Sequence, residues 1–194
     1  MKGSLAQQLR KVLANTLPEL PLVLAILLGI FLRVYQITLQ IPADDEWHAL
    51  HALMTERFLD IAVRFGVADH CIPMALLFRV SYILYGLSEW IVRFPVLLAG
   101  IAFLIAGPWV VRIRFGRATA TTFAWLVAVS PLLIFYSRYA RPYIVSVFFC
   151  FIAAYAFLEW WKGGDRLWRW AYVLCAILSP YFPVSYTHLT LPTN

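Results

Sequence analysis

Charged side chains are scarce in this chain of 194 residues: they make up 13% of it, about half the share usual in soluble domains. Apolar residues make up 62%, and the mean hydropathy is +0.76. The net charge of +6 comes without any run of Lys or Arg, so it does not indicate a nucleic-acid-binding protein. The composition predicts a protein that is embedded in a membrane.

Cysteine is also rare, and the positions of the three cysteines do not indicate a disulfide framework. Cys150 and Cys175 lie inside apolar segments, and Cys71 stands alone near an acidic loop. We expect all three to be packing residues.

Five apolar runs approach the roughly 20 residues that a helix needs to cross a bilayer core of about 30 Å. Residues 20–39 are too long for a signal-peptide core and are followed by no cleavage pattern, so they predict an uncleaved first span. The predicted fold is all-α, a polytopic membrane helical bundle. Its predicted spans are residues 20–39, 94–111, 118–136, 142–161 and 167–184.

The final ten residues, SYTHLTLPTN, turn polar and resemble the translation of a sequencing adapter. We therefore interpret residues 185–194 as a non-native tail. Residues 1–184 are then the N-terminal part of a longer protein, and the sequence does not determine whether this part is active by itself.

Residues 47–65 and 72–87 predict two helices that lie in the membrane interface. The first carries one apolar stripe at steps of three and four, and the second would bury Arg79 near the centre of a short span. If neither crosses, the basic clusters near residues 2–11, 112–117 and 162–169 all fall on the cytoplasmic side. The loop after the first span then faces away from the cytoplasm, and the N-terminus is predicted to be cytoplasmic.

That loop contains QIPADDEWHALH, residues 40–51, in which Asp44, Asp45 and Glu46 are consecutive. One interpretation is structural, because Asp44 is a favoured N-cap and acids in a first turn gain about 0.3–1 kcal/mol from the helix dipole. The other is catalytic, because crowded carboxylates tend to have raised pKa values that suit a general base. Asp69, in ADHCIP, carries the same two interpretations of helix cap and catalytic acid.

Two histidines of the loop allow a metal hypothesis. His48 and His51 are three residues apart and could bind a divalent metal together with Asp44 or Asp45. The alternative is that they are polar-face residues of an interfacial helix. No third strong ligand has diagnostic spacing, so a metal cofactor is not indicated.

The segment YSRYARPY, residues 136–143, brings Arg138 and Arg141 to the outer side, where the positive-inside rule gives no reason for them. They are either snorkelling side chains of an interfacial turn or two guanidinium forks that bind a phosphate. Arg33, near the outer end of the first span, could snorkel or line the same cavity. A lipid phosphate is the substrate that this combination predicts.

The order of these motifs resembles GT-C membrane glycosyltransferases, above all the bacterial relatives of protein O-mannosyltransferases and aminoarabinose transferases. The resemblance covers about residues 20–160. The matching residues are Asp45-Glu46, Asp69-His70 with Pro73, Ser88-Glu89 with Arg93 and Pro95, and Tyr136-Ser137 with Ala140, Arg141 and Tyr143. The chain departs from the family pattern at His70, which is not followed by Pro-Pro, and at Arg138, where relatives often carry Gln.

The resemblance implies inverting transfer of a sugar from a polyprenyl-phosphate donor to an extracytoplasmic acceptor hydroxyl on protein, lipid or glycan, without a nucleotide at the site. In this reading Asp45 is the base, Glu46 or Asp69 orients the acceptor, and Arg141 binds the lipid phosphate. Arg138 and Tyr143 assist Arg141, and the accessory candidates are Asp44, His48, His70 and Arg93. The rival hypotheses are a transporter or flippase of an anionic lipid-linked substrate and a non-catalytic membrane subunit.

Overall fold

The computed structural model describes residues 17–39, 46, 54, 57–63, 71–86 and 88–181, and these residues form helices and turns without any strand. The α-helices are α1 (Leu20–Val34), α2 (Phe58–Val63), α3 (Ile72–Tyr85), α4 (Glu89–Val129), α5 (Pro131–Arg138), α6 (Tyr143–Trp161) and α7 (Arg166–Tyr181). Short 3-10 helices, Leu17–Glu19 and Ile37–Leu39, flank α1.

Helix α4 is 41 residues long but consists of two limbs that meet at Gly116. The backbone of Gly116 has φ 82°, a left-handed value that glycine adopts at no steric cost, and this reverses the chain. The first limb (residues 89–115) and the second limb (residues 117–129) then run antiparallel. Two close approaches show how these helices are aligned. A Cβ on Gly107 would lie 2.9 Å from the Phe123 ring in the second limb, and a Cβ on Gly100 would lie 2.6 Å from Cβ of Ser137 in α5.

Helix α1 packs against both limbs. A Cβ on Gly29 would lie 2.7 Å from the Leu104 side chain and 3.1 Å from the α-carbon of Ala128, so this glycine permits a close three-helix contact. Leu104 and Ala128 at this contact are fully buried, and so is Ala25, one turn before Gly29 in α1. Apolar residues that face one another across these helices form the core, while the outward side chains stay apolar and exposed, as expected for a surface in contact with lipid.

Ion pairs at one end of the bundle and hydrogen bonds at the other show which chain segments meet there. At one end, Glu19 pairs with Arg112 at 2.8 Å and with Arg117 at 3.7 Å. At the other end, the turn after α1 meets Arg93 and Arg138, whose guanidinium groups donate to the carbonyls of Ile37 and Gln36. The basic cluster around residue 114 and the arginine segment around residue 140 therefore lie at opposite ends.

Helices α6 and α7 form a hairpin through Gly163, which also has a left-handed φ of 88°. The hydroxyl of Ser146 donates to the carbonyl of Ser179 across this hairpin at 3.1 Å. Helix α3 packs against α4. Its Met74 and Phe78 belong to the same buried core cluster as Val92 and Val96 of α4, and Ala75 is buried as well.

The prediction of an all-α membrane helical bundle is confirmed. Three segments of the described chain are long and apolar enough to cross a membrane: Leu20–Leu39, Glu89–Val129 and Tyr143–Trp161. The predicted spans 94–111 and 118–136 lie on α4 and α5, and the break at Ser130-Pro131 was not predicted. The predicted span 167–184 contains α7, which is described only to Tyr181.

The predicted interfacial segments are described unequally. Residues 72–87 contain α3, whereas of residues 47–65 the structure describes 54 and 57–63, including α2. The assignment of each helix as membrane-crossing or interfacial stays a prediction. The tail predicted at residues 185–194 lies outside the described residues.

Candidate active site

The acidic loop and the arginine segment meet at Glu46. Its side chain is 2% exposed, and its Oε1 accepts a hydrogen bond from the backbone N–H of Ala140 at 2.7 Å. Residues 46 and 140 are far apart in sequence, so this contact is made by the packing of the helices. A buried carboxylate needs such partners, because an uncompensated charge away from water is costly.

Arg93, in the first turns of α4, lies beside Glu46. The Arg93 side chain is 3% exposed. Its Nε is 3.8 Å from Oε1 of Glu46, and its Nη1 is 3.8 Å from Oε2 of Glu89. Nη1 also donates to the carbonyl of Ile37. Arg93 thus joins the acidic loop, the start of α4 and the exit of α1.

Arg138 ends α5 and is partly buried. Its Nη2 donates to the carbonyl of Gln36 at 2.9 Å, while its Nε is buried with no hydrogen-bond acceptor among the described residues. Burial, and then the positive charge of Arg93, lower the pKa of the Arg138 guanidinium below its ordinary value. Two cations held together in this way would be stabilised by an anion.

Arg141 follows a tight turn in which its N–H donates to the carbonyl of Tyr139 at 2.6 Å. The side chain of Arg141 is 6% exposed. Tyr143, in the first turn of α6, stacks on Tyr139 with 6.4 Å between ring centroids and lies 4.9 Å from the Tyr136 ring. The three tyrosine rings form a cluster within the chain segment that also carries Arg138 and Arg141.

Arg33 and Ser137 are two residues of this region whose contacts were not predicted. Arg33 does not snorkel: it is fully buried and donates to the carbonyls of Val127 at 3.0 Å and Ala128 at 3.4 Å, and through Nε to Oγ of Ser137 at 3.1 Å. Pro131 has no N–H, so Val127 lacks its helical partner there. An unsatisfied carbonyl in an apolar setting costs several kcal/mol, roughly 2–7. The sequence signal for these contacts is Pro131, because a proline inside an apolar span leaves a backbone carbonyl that needs another donor.

The remaining predicted site residues lie outside the described part of the chain. They are Asp44, Asp45, His48, His51, Asp69 and His70. Among the described residues no three His, Cys, Asp or Glu side chains lie together in a way that could hold a metal ion. The metal hypothesis rests on the other residues and stays a hypothesis.

The family comparison bears directly on this region. Residues 69–192 match the family model described as dolichyl-phosphate-mannose-protein mannosyltransferase. The chain belongs to this family. Neither a comparison with curated proteins nor one with solved structures gave a match.

Membership in the mannosyltransferase family, together with the apolar helices, identifies an integral membrane protein of glycosyltransferase type. The matched residues include Arg93, Arg138 and Arg141 but not the acidic loop before residue 69. Glu46 connects that loop to the matched part, because its carboxylate binds the N–H of Ala140. The match also includes residues 185–192, whose prediction as a non-native tail stays a prediction.

Proposed function

We propose that this protein is a glycosyltransferase that moves a sugar from a polyprenyl-phosphate donor to an acceptor hydroxyl by inverting displacement. One observation carries the proposal: the carboxylate of Glu46 binds the backbone of Ala140, so the acidic loop adjoins the segment that carries Arg138 and Arg141. A base and a phosphate site must be close for such a transfer, since the acceptor oxygen that the base deprotonates and the phosphate oxygen that leaves are both partly bonded to the same anomeric carbon in the transition state.

Asp45 is the proposed base. It directly precedes Glu46, and consecutive α-carbons are about 3.8 Å apart, so the anchoring of Glu46 limits how far Asp45 can be from the arginines. In the reaction Asp45 takes the proton of the acceptor hydroxyl while the oxygen attacks the anomeric carbon. A positioned base contributes about 10²–10⁴ in rate.

Arg141 and Arg138 are the proposed phosphate ligands, with Tyr143 at the side of the site. The bond between the anomeric carbon and the phosphate oxygen breaks with its electrons on the oxygen, so negative charge develops on the departing lipid phosphate. Guanidinium groups bind phosphate in a bidentate manner and stabilise that charge. The Arg138 Nε, buried and without an acceptor among the described residues, supports this role.

Glu46 and Asp69 are the two candidates for orienting the acceptor, and the contacts of Glu46 favour a structural role for it. The Glu46 carboxylate is buried and is engaged with Ala140 and Arg93, which favours holding the site together. We therefore assign the orientation of the acceptor to Asp69. Asp44, His48 and His70 remain accessory candidates, and no nucleotide is required because the sugar is already activated on the lipid.

The proposed site lies on the extracytoplasmic side of a bacterial inner membrane. This placement is supported by the positions of the arginines: the cluster of residues 112–117 lies at the opposite end of the bundle from Arg138. The positive-inside rule assigns that cluster, and with it the N-terminus, to the cytoplasm.

The test supplies the full-length protein with radiolabelled polyprenyl-phosphate sugar and follows label into acceptor. We expect Asp45→Asn and Arg141→Ala to lower transfer at least about 100-fold. The matched controls are Asp165→Asn, in the exposed α6–α7 turn, and Arg114→Ala, at the opposite end of the bundle, and both should transfer at the wild-type rate.

Three outcomes would contradict the proposal. Wild-type rates in the Asp45 and Arg141 variants would refute the site assignment. Label that crosses the bilayer while still attached to the lipid would support a flippase, and no transfer or movement with any lipid-linked sugar would support a non-catalytic subunit.

A further inference from the structure

Arg33 is a fully buried cation that the proposed reaction does not use. It lies in the last turn of α1 and makes hydrogen bonds with three segments: its own helix at Gly29, the end of α4 at Val127 and Ala128, and α5 at Ser137. We propose that Arg33, acting with Ser137, is a positioning residue that sets the direction of α5 and thereby the phosphate-binding arginines. This inference rests on the proposed function.

The break between α4 and α5 creates the need for Arg33. Helix α4 ends at Val129, Ser130 is extended with ψ 114°, and Pro131 begins α5 without an N–H. The carbonyl of Val127 therefore has no helical donor four residues on. The terminal nitrogens of Arg33 donate to Val127 at 3.0 Å and to Ala128 at 3.4 Å, which makes the break compatible with an apolar environment.

The same guanidinium also contacts the chain beyond the break. Its Nε donates to Oγ of Ser137 at 3.1 Å, and that hydroxyl in turn donates to the carbonyl of Leu133 at 2.5 Å. A guanidinium is planar and rigid, so the directions of its donors are fixed relative to one another. By bonding carbonyls before the break and a hydroxyl after it, Arg33 fixes the angle at which α5 leaves α4.

The direction of α5 determines the position of the proposed phosphate site. Arg138 follows Ser137 directly, and Ala140, whose N–H binds Glu46, comes three residues after Ser137. Gly100 leaves room for Ser137, since a Cβ there would lie 2.6 Å from Cβ of Ser137. A looser Ser137 would therefore move the donor-binding arginines relative to the acidic loop without removing any group that touches the donor.

The first experiment compares Ser137→Ala with wild type in the full-length protein. The change removes the acceptor of Arg33 Nε and leaves the contacts to Val127 and Ala128. We expect KM for the lipid-linked donor to rise about five- to tenfold, the equivalent of one hydrogen bond, with kcat within about twofold. Ser146→Ala is the matched control: it removes a buried hydroxyl that binds the Ser179 carbonyl, and KM should not change.

A second measurement does not depend on activity. Amide hydrogen exchange should accelerate in residues 132–140 of Ser137→Ala and stay at the wild-type rate in α6. In Ser146→Ala the acceleration should be confined to α6 and α7.

Arg33 is tested with a variant pair that separates folding from positioning. Arg33→Lys keeps the positive charge but loses the fixed donor directions of the planar guanidinium, so we expect less folded protein and a raised donor KM. Adding Pro131→Ala supplies an N–H for the Val127 carbonyl. The double variant should recover folded protein while its donor KM stays raised.

The outcomes separate this inference from the proposed function. If wild type transfers no sugar, the proposed function fails, and accelerated exchange confined to residues 132–140 still supports the positioning of α5. A wild-type donor KM and wild-type exchange in Ser137→Ala would overturn the inference, as would a change in kcat alone. Recovery of donor KM in the double variant would also overturn it, because Arg33 would then serve folding only.

Discussion

Glu46→Gln is the most informative single change in the described residues. The glutamine side chain has nearly the same shape, and its carbonyl oxygen can still accept from the N–H of Ala140. What it loses is the negative charge, which faces Arg93 Nε at 3.8 Å and strengthens the 2.7 Å bond to Ala140. The variant therefore tests whether the buried charge holds the acidic loop to the arginine segment.

The magnitude follows from the two contacts. Removing one member of a buried ion pair costs about 3–5 kcal/mol when the other charge is left without compensation. Arg93 keeps the Glu89 carboxylate at 3.8 Å and the Ile37 carbonyl, so we expect about 1 kcal/mol from the ion pair. A hydrogen bond to a neutral acceptor is about 1 kcal/mol weaker than one to a charged acceptor. Together the loss is about 2 kcal/mol, or roughly 30-fold in the unfolding equilibrium.

Glu89→Gln is the matched control. Its carboxylate lies at the same 3.8 Å from Arg93, but it is 48% exposed, so water screens the pair and the expected loss is about 0–1 kcal/mol. The assay is the free energy of unfolding of the full-length protein in mixed micelles, with the melting temperature as a second readout. Donor KM is measured in the same preparations and should rise only in Glu46→Gln.

Equal losses in the two variants would refute the reasoning, because burial would then have no influence on the strength of the pair. A Glu46→Gln protein with wild-type stability but impaired transfer would also contradict it. That result would return Glu46 to a role in direct contact with the acceptor.

Three further predictions concern packing, topology and charge. Gly100→Ala should cost about 1–3 kcal/mol, because the new methyl group would overlap Ser137. A cysteine at Ala43 should react with a membrane-impermeant thiol reagent from the extracytoplasmic side. Arg138→Gln should raise donor KM by about tenfold, one charge-assisted hydrogen bond, without lowering stability, because burial near Arg93 already disfavours the charge.

Each of these has a control and a contrary result. For the glycine, Gly100→Ala with wild-type stability would contradict the close packing of α4 on α5. For the cysteine, the control is the protein without its three native cysteines, and labelling only after permeabilisation would invert the topology. For the arginine, the control is Arg114→Gln, and a loss of stability as large in Arg138→Gln as in Glu46→Gln would contradict a ligand-binding role.

Composition and motif order determined the fold class and the family. A mean hydropathy of +0.76 and apolar runs near 20 residues suffice to predict a helical membrane bundle, because a bilayer core fixes the length and polarity of its helices. The spacing around Arg93 and Arg141 led to the family resemblance, which the match over residues 69–192 confirmed.

Local sequence gave partial information about the site. The kink inside α4 and the start of α5 follow from Gly116 and Pro131, whose backbone constraints act within a few residues. The break at Ser130-Pro131 was open to prediction for that reason. It was missed because the apolar run continues across it and mean hydropathy does not register a missing N–H.

Only the tertiary structure decided which distant groups meet. Nothing near residue 46 indicates that its carboxylate binds the N–H of Ala140, and nothing near residue 33 indicates that its guanidinium reaches Val127 and Ser137. These contacts depend on the register in which α1, α4 and α5 pack, which is set by close approaches such as that at Gly29. The sequence therefore determined the kinds of groups present, and packing decided whether each one anchors the fold or remains available to a substrate.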